Sequence, residues 1–186
     1  MQATGQFRMS SAPRFIPRYT VADYHLWQGD WELIDGIPVA MTPSPFGPHE
    51  RVVANLVHAF MNEFARHGCD CRVYARLDWI VSEDTMVRPD VMVVRGEQPE
   101  RHLERSPELL VEVLSASTEA RDRTTKREIY FEHGVSTYLI VDTETNQIEL
   151  LRRGKKEFES ELIAQPFQLS LTSGCCIELN RQDLFR

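Results

Sequence analysis

No apolar run in this 186-residue chain approaches the roughly 18 residues of a membrane span, and the opening MQATGQFRMSSAPRF lacks the apolar core of a signal peptide. A cytoplasmic protein with no membrane partner is expected. Nor do basic residues dominate: 21 Lys and Arg stand against 28 Asp and Glu, for a formal net charge of −7. Without a net positive field the chain is a poor tight, non-specific polyanion binder, though metal ions and a local basic surface remain open to an enzyme. Lysine is scarce, with Lys126, Lys155 and Lys156 the three in the sequence. Zinc-ligand spacing is missing as well. The four cysteines fall in GCDCR and SGCCI, neither with the two-residue gap of a zinc knuckle, so Cys69, Cys71, Cys175 and Cys176 read as reduced packing or surface thiols. No internal repeat, low-complexity tract, zinc finger, helix-turn-helix or nucleophile elbow is visible.

What the sequence does contain is periodic and globular, at 42% hydrophobic and 26% charged residues. Residues 1–18 are aperiodic and read as a flexible tail, leaving 19–186 as a single domain. Thr20 and Asp23 have capping-box spacing for a short helix. WELIDGIPVAM alternates around Asp35-Gly36, which favours a tight hairpin. PHERVVANLVHAFMNEFARHG sets Val52, Val53, Leu56, Val57, Phe60, Met61 and Phe64 on one helical stripe, with Gly68 as its stop. Three strand-like runs follow, CRVYARLDWIV, MVRPDVMVV and ELLVEVLS. Thr118 can then cap a helix that Gly134 ends, before strands at 135–142 and 147–152 and a further meander. The order predicts an α/β or α+β domain: one mixed central β-sheet flanked by helices, with an N-terminal hairpin and additional C-terminal strands.

Two carboxylates sit where apolar residues belong. Glu112 interrupts Leu109, Leu110, Val111, Val113 and Leu114, and an ionised carboxylate inside such a strand costs several kcal/mol unless compensated. Asp90 interrupts MVRPDVMVV directly after Pro89, a residue that central ladders exclude, so the chain should distort there and aim the carboxylate. Acids on adjacent strands suit a shared Mg²⁺ or Mn²⁺, which takes oxygen ligands. Separate structural ion pairs, drawn from the chain's many arginines, account for each acid equally simply. Lys126 bears on that choice: it shares a helix face with Asp122, Ile129 and Tyr130, and its helix follows the Glu112 strand directly. Read alone, it is also a surface lysine paired with Asp122.

Taken in order, WELIDGIPVAM, SPFGPHERVVANL, RPDVMVV, ELLVEVLSAST and TTKREIYFEHGVSTYLIVD resemble the Uma-type restriction endonucleases of the PD-(D/E)XK nuclease superfamily, over about residues 19–152. The resemblance implies a restriction-endonuclease-like sheet of four or five strands with the active site at one edge. It implies that Asp90 and Glu112 are the paired acids and hold the metal, with the Val113 carbonyl as a further oxygen ligand. Position 114 carries Leu where the superfamily pattern has Lys, and Lys126 matches a lysine moved to the following helix. Glu32 and His49 match an acid and a histidine that face the site, although a hairpin pair and a helix start account for them as well. His25, His58, His67, His102 and His133 have no such match. A homodimer is implied too.

The function expected is a metal-dependent endodeoxyribonuclease that hydrolyses DNA phosphodiester bonds, with Mg²⁺ or Mn²⁺ as cofactor and DNA as partner. RHLER, RDRTTKR and LLRRGKK are phosphate-contact candidates, and equally solvated faces. Sequence specificity would come from loops, a dimer or an unidentified protein partner. The alternative is a non-catalytic nucleic-acid- or protein-binding module of the same fold. A metal-free hydrolase built on Ser115 or a cysteine lacks an evident paired base.

Overall fold

Thr20 opens the first ordered element with a reciprocal capping box: its Oγ1 accepts from Asp23 N–H, and Asp23 accepts from Thr20 N–H at 2.8 Å. The structure, a computed structural model, describes residues 17–41, 46–172 and 174–186. The tail expected over 1–18 lies outside the described residues up to residue 16, while Arg18 donates to the Asp35 carbonyl. Among the described residues no helix is long and apolar enough to cross a membrane.

The capped helix α1 (Val21–Tyr24) leads into the hairpin β1 (Trp31–Ile34) and β2 (Ile37–Ala40). Its two-residue turn needs positive φ at both positions, and Asp35 (49°) and Gly36 (75°) supply it. Helix α2 (Gly47–His67) starts with Pro48 in its first turn and stops at Gly68, whose φ of 63° forms a left-handed cap. Val52, Val53, Leu56, Phe60 and Phe64 are buried along it as the stripe predicts, but Met61 faces outward and is 58% exposed.

Two of the expected strands are each divided. CRVYARLDWIV forms β3 (Cys71–Ala75) and β4 (Trp79–Ser82), parted where Arg76 takes a positive φ. MVRPDVMVV forms β5 (Thr85–Val87) and β6 (Val91–Arg95). Pro89 has no N–H for a ladder, and at Arg88–Asp90 the chain leaves one sheet for another. The single central sheet expected is therefore accompanied by a second one, antiparallel, in the order β2-β1-β5-β4.

The main sheet is mixed and has six strands, in the order β10-β9-β8-β7-β6-β3. Strand β7 (Leu109–Val113) pairs antiparallel with β6 and parallel with β8 (Thr137–Asp142). Strands β9 (Gln147–Arg153) and β10 (Phe158–Ile163) continue the meander, and β11 (Phe167–Ser170) with β12 (Cys176–Leu179) adds a separate ribbon. The crossover between the parallel strands β7 and β8 is helical, as such connections usually are, and it comes in three parts: α3 (Glu119–Arg121), a π-helical turn over Asp122–Lys126, and α4 (Arg127–Glu132). Thr118 does not cap this crossover with its side chain. Its own backbone is already helical (φ −112°, ψ −22°), and its Oγ1 lies 3.0 Å from Ser115 Oγ. A short helix, α5 (Arg181–Leu184), closes the chain.

Both faces of the main sheet are covered. Val91, Val93, Leu109, Val111 and Val113 pack with α2, the β11–β12 ribbon and Leu184. Met92, Val94, Leu110 and Leu114 pack on the other face with Trp79, Ile129, Tyr130 and Tyr138. Each large side chain removed from water in this way contributes about 1.5–3 kcal/mol. β7 alternates, so Glu112 takes the same face as Leu110 and Leu114.

The cysteines depart from the expectation of reduced thiols. Cys69, just past α2, is disulfide-bonded to Cys175, just before β12, while Cys71 is a buried free thiol and Cys176 an exposed one. The two bonded residues are 106 apart in sequence with Cα atoms 5.7 Å apart, a proximity that no local spacing encodes.

Candidate active site

Strand register brings the two anomalous acids together. β6 and β7 pair as far as Val91 opposite Val111, so Asp90 comes next to the last residues of β7. Its Oδ2 accepts the Val113 N–H at 2.8 Å. From the first turn of α2, His49 Nε2 approaches the same Oδ2 at 3.4 Å. His49 is itself buried, with Glu50 3.3 Å from its Nδ1. Burial opposes protonation of His49, but the hydrogen bond and charge of Asp90, with Glu50, outweigh it and raise its pKa.

Glu112 is 3% exposed and uses one oxygen twice. Oε1 accepts from Lys126 Nζ at 2.9 Å and from Tyr130 Oη at 2.6 Å. Lys126, also 3% exposed, makes a second ion pair with Glu32 Oε1 at 2.8 Å and lies 3.5 Å from Asp122 Oδ1. The π-helical turn that holds both Asp122 and Lys126 is anchored by Tyr138 Oη, which donates to the Asp122 carbonyl at 3.1 Å. Such turns insert one residue into helical spacing and often occur at functional sites. Glu32 comes from β1 of the second sheet, and its Oε1 also accepts the Arg88 N–H at 2.9 Å.

The charges do not balance. Burial pushes Glu112 well above the usual carboxylate range; Lys126 pulls the other way, and Asp122, Asp90 and Glu32 add to the rise. Burial likewise raises Asp122. Burial also disfavours the Lys126 ammonium, yet Glu112, Glu32 and Asp122 outweigh it and its pKa rises. One buried ammonium thus faces Glu112, Glu32 and Asp122, with Arg121 3.8 Å from Glu32 and His49 beside Asp90, and charge left over on the acids would be met by proton uptake or by a further cation. Glu32 Oε2 and Asp122 Oδ1 are buried without a hydrogen-bond partner among the described residues.

Beside this cluster lies a cavity of about 90 Å³, bounded in part by Asp30, Met41, Arg76, Arg88, Ser115, Thr118 and Arg121. The five residues singled out in the sequence, Glu32, His49, Asp90, Glu112 and Lys126, all reach it, together with Val113. They arrive from β1, α2, the start of β6, β7 and the π-helical turn. Tyr130, Asp122 and Arg121 were not singled out as site residues. For Tyr130 and Asp122 the signal was their shared helix face with Lys126, whereas Arg121 carried none beyond its basic cluster.

Among the described residues no three His, Cys, Asp or Glu side chains are arranged to chelate a metal by themselves. The donor set still fits a hard divalent ion that retains waters and takes one or two carboxylates. Asp90 commits Oδ2, and Glu112 commits Oε1, leaving each with a second oxygen that has no hydrogen bond among the described residues. The three carboxylates gathered around the single Lys126 ammonium are a second point of fit.

A family model named Uma2, described as "Putative restriction endonuclease", matches residues 21–179. Among solved structures, one from Anabaena variabilis titled as "a putative nuclease belonging to DUF820" superimposes with a TM-score of 0.71. It is 18% identical, and the match covers 89% of this chain and 97% of that one. At that identity the likeness concerns the fold. No curated protein matches the chain.

Proposed function

This chain belongs to the Uma2 family, and from that premise we propose that it is a divalent-metal-dependent endonuclease that hydrolyses DNA phosphodiester bonds in the cavity between its two sheets. The observation that carries the reading is the meeting of Asp90, Glu112 and Lys126, from three separate elements, in one cavity. Asp90 and Glu112 would hold Mg²⁺ or Mn²⁺, with the Val113 carbonyl as a further oxygen. When bound, such an ion polarises a phosphoryl oxygen and makes a coordinated water more acidic.

The protein's own groups have separate tasks. The Val113 N–H and His49 fix the Asp90 carboxylate in one orientation. Tyr130 and Lys126 hold one Glu112 oxygen and so aim the other. From its place beside Glu112, Lys126 would also offset at short range the negative charge that develops as the bond breaks. Glu32 keeps that ammonium in place from the opposite sheet and adds to the acidity of the pocket.

Cleavage of plasmid, linear and branched DNA in Mg²⁺ or Mn²⁺ tests the proposal, run beside Asp90→Ala. Cutting that needs the metal and disappears in the folded variant supports it. Equal cutting by the variant overturns it.

A further inference from the structure

We propose that Arg121, with the hydroxyls of Ser115 and Thr118, forms a phosphate-binding subsite on the cavity wall. The inference rests on the endonuclease reading in one respect, that the anion it receives is a DNA phosphate beside the bond to be cut.

Three arginines line the cavity, and two are committed. Arg88 donates from Nε to Asp78, from Nη1 to Asp30 and from Nη2 to Tyr24 Oη, at 2.5, 2.7 and 3.0 Å. Arg76 is hydrogen-bonded to Glu50. The Arg121 guanidinium makes no hydrogen bond to any described residue, its backbone N–H alone donating to the Thr118 carbonyl. Its one ion pair, Nε to Glu32 Oε2, is 3.8 Å long, too far for a hydrogen bond, and both atoms are buried without a partner. A buried polar group left in this state calls for an explanation, and a ligand that it receives is one.

The rest of its basic cluster cannot take that role. Arg123 is held by Glu119 and Glu149, Arg127 donates to the Phe158 carbonyl, and the Lys126 ammonium is enclosed by carboxylates. Arg121 is the member that combines a place on the cavity wall with an unused planar donor fork. Its side chain is 22% exposed, so it meets both the cavity and its mouth. Guanidinium geometry matches two phosphate oxygens at once. Ser115 and Thr118 line the same cavity from the loop between β7 and α3, their hydroxyls 3.0 Å apart and Ser115 Oγ also 3.1 Å from Ser117 Oγ, so this hydroxyl group can present a proton to an anion.

The test has two readouts, both on the full chain in Mg²⁺ or Mn²⁺. Calorimetric titration with inorganic phosphate is expected to show binding to the parent that weakens on the order of 10- to 100-fold in Arg121→Ala. Arg121→Lys, which keeps the charge but not the fork, is expected to bind with intermediate affinity. DNA cleavage is expected to fall by a similar factor in Arg121→Ala. Phosphate binding that needs Arg121 in a protein that cuts no DNA leaves the subsite standing and removes the nuclease reading. A nuclease whose Arg121→Ala variant binds phosphate and cuts like the parent overturns the subsite and leaves the nuclease. Loss of thermal stability without any change in either readout also overturns it, since Arg121 would then serve to neutralise Glu32 alone.

Discussion

The Lys126 ammonium lies 2.9 Å from Glu112 Oε1, buried with it and reaching it from the π-helical turn that follows the Glu112 strand. A carboxylate set among five aliphatic residues is thereby given a counterion fourteen residues on. The pair is not isolated, since Glu32 and Asp122 approach the same nitrogen.

Removing the cation should expose the cost of that arrangement. Lys126→Met leaves Glu32 and Glu112 buried without their shared partner, and breaking a buried pair from one side typically costs about 3–5 kcal/mol. Urea denaturation without metal is expected to show a loss of this order. Adding Glu112→Gln should recover part of it, because the double variant buries one charge fewer. A single variant as stable as the parent contradicts the ion cluster.

The Cys69–Cys175 bond ties the end of α2 to the β11–β12 ribbon across a long loop. In the chain-entropy account a loop of about 100 residues gives roughly 4–5 kcal/mol. A thiol titration of the unreduced, unfolded protein should count two free thiols, from Cys71 and Cys176. Dithiothreitol or Cys175→Ser should lower Tm by about 10 °C or more. Four titratable thiols before reduction contradict the bond.

Acid should weaken the turn between β8 and β9 through Asp142. Burial opposes its ionisation, but hydrogen bonds from Thr145 and Glu144 win and hold its pKa below the usual value of 3.8. With the folded pKa depressed, its contribution is fully present above the unfolded value and is lost as pH falls through the folded one. Asp142→Ala is expected to cost about 1 kcal/mol at pH 7. The gap from the parent in denaturation experiments should narrow below about pH 4. A gap that is constant with pH contradicts the assignment.

Much of the fold and of the site was legible in the sequence where the signals are local. The Thr20–Asp23 box, the Asp35-Gly36 turn, the stripe of α2 and the Gly68 stop each follow from residues a few positions apart. Asp90, Glu112 and Lys126 stood out because a charge among aliphatic neighbours, or on a core-facing helix side, needs a partner. Strand division at Arg76 was harder to read, since apolar residues flank the break, and at Pro89 the distortion was legible but not the passage of β5 and β6 into different sheets. Non-local events left no pattern at all. The Cys69–Cys175 bond spans 106 residues, and the idle guanidinium of Arg121 is defined by what its neighbours do not offer. Likewise the π-helical turn is visible in the backbone, whereas the sequence reads as ordinary helix there.

No measurement bears more closely on the proposed metal site than the nicking rate of supercoiled plasmid by Glu112→Gln, in saturating Mg²⁺ and at neutral pH. Glutamine keeps an acceptor for Tyr130 and Lys126 and removes a buried charge, so the protein should stay folded. The expected rate is lower than the parent's by about 100-fold or more, in line with the loss of a group that acts at the transition state. A Glu112→Gln protein that nicks the plasmid as fast as the parent would contradict a catalytic role for this carboxylate.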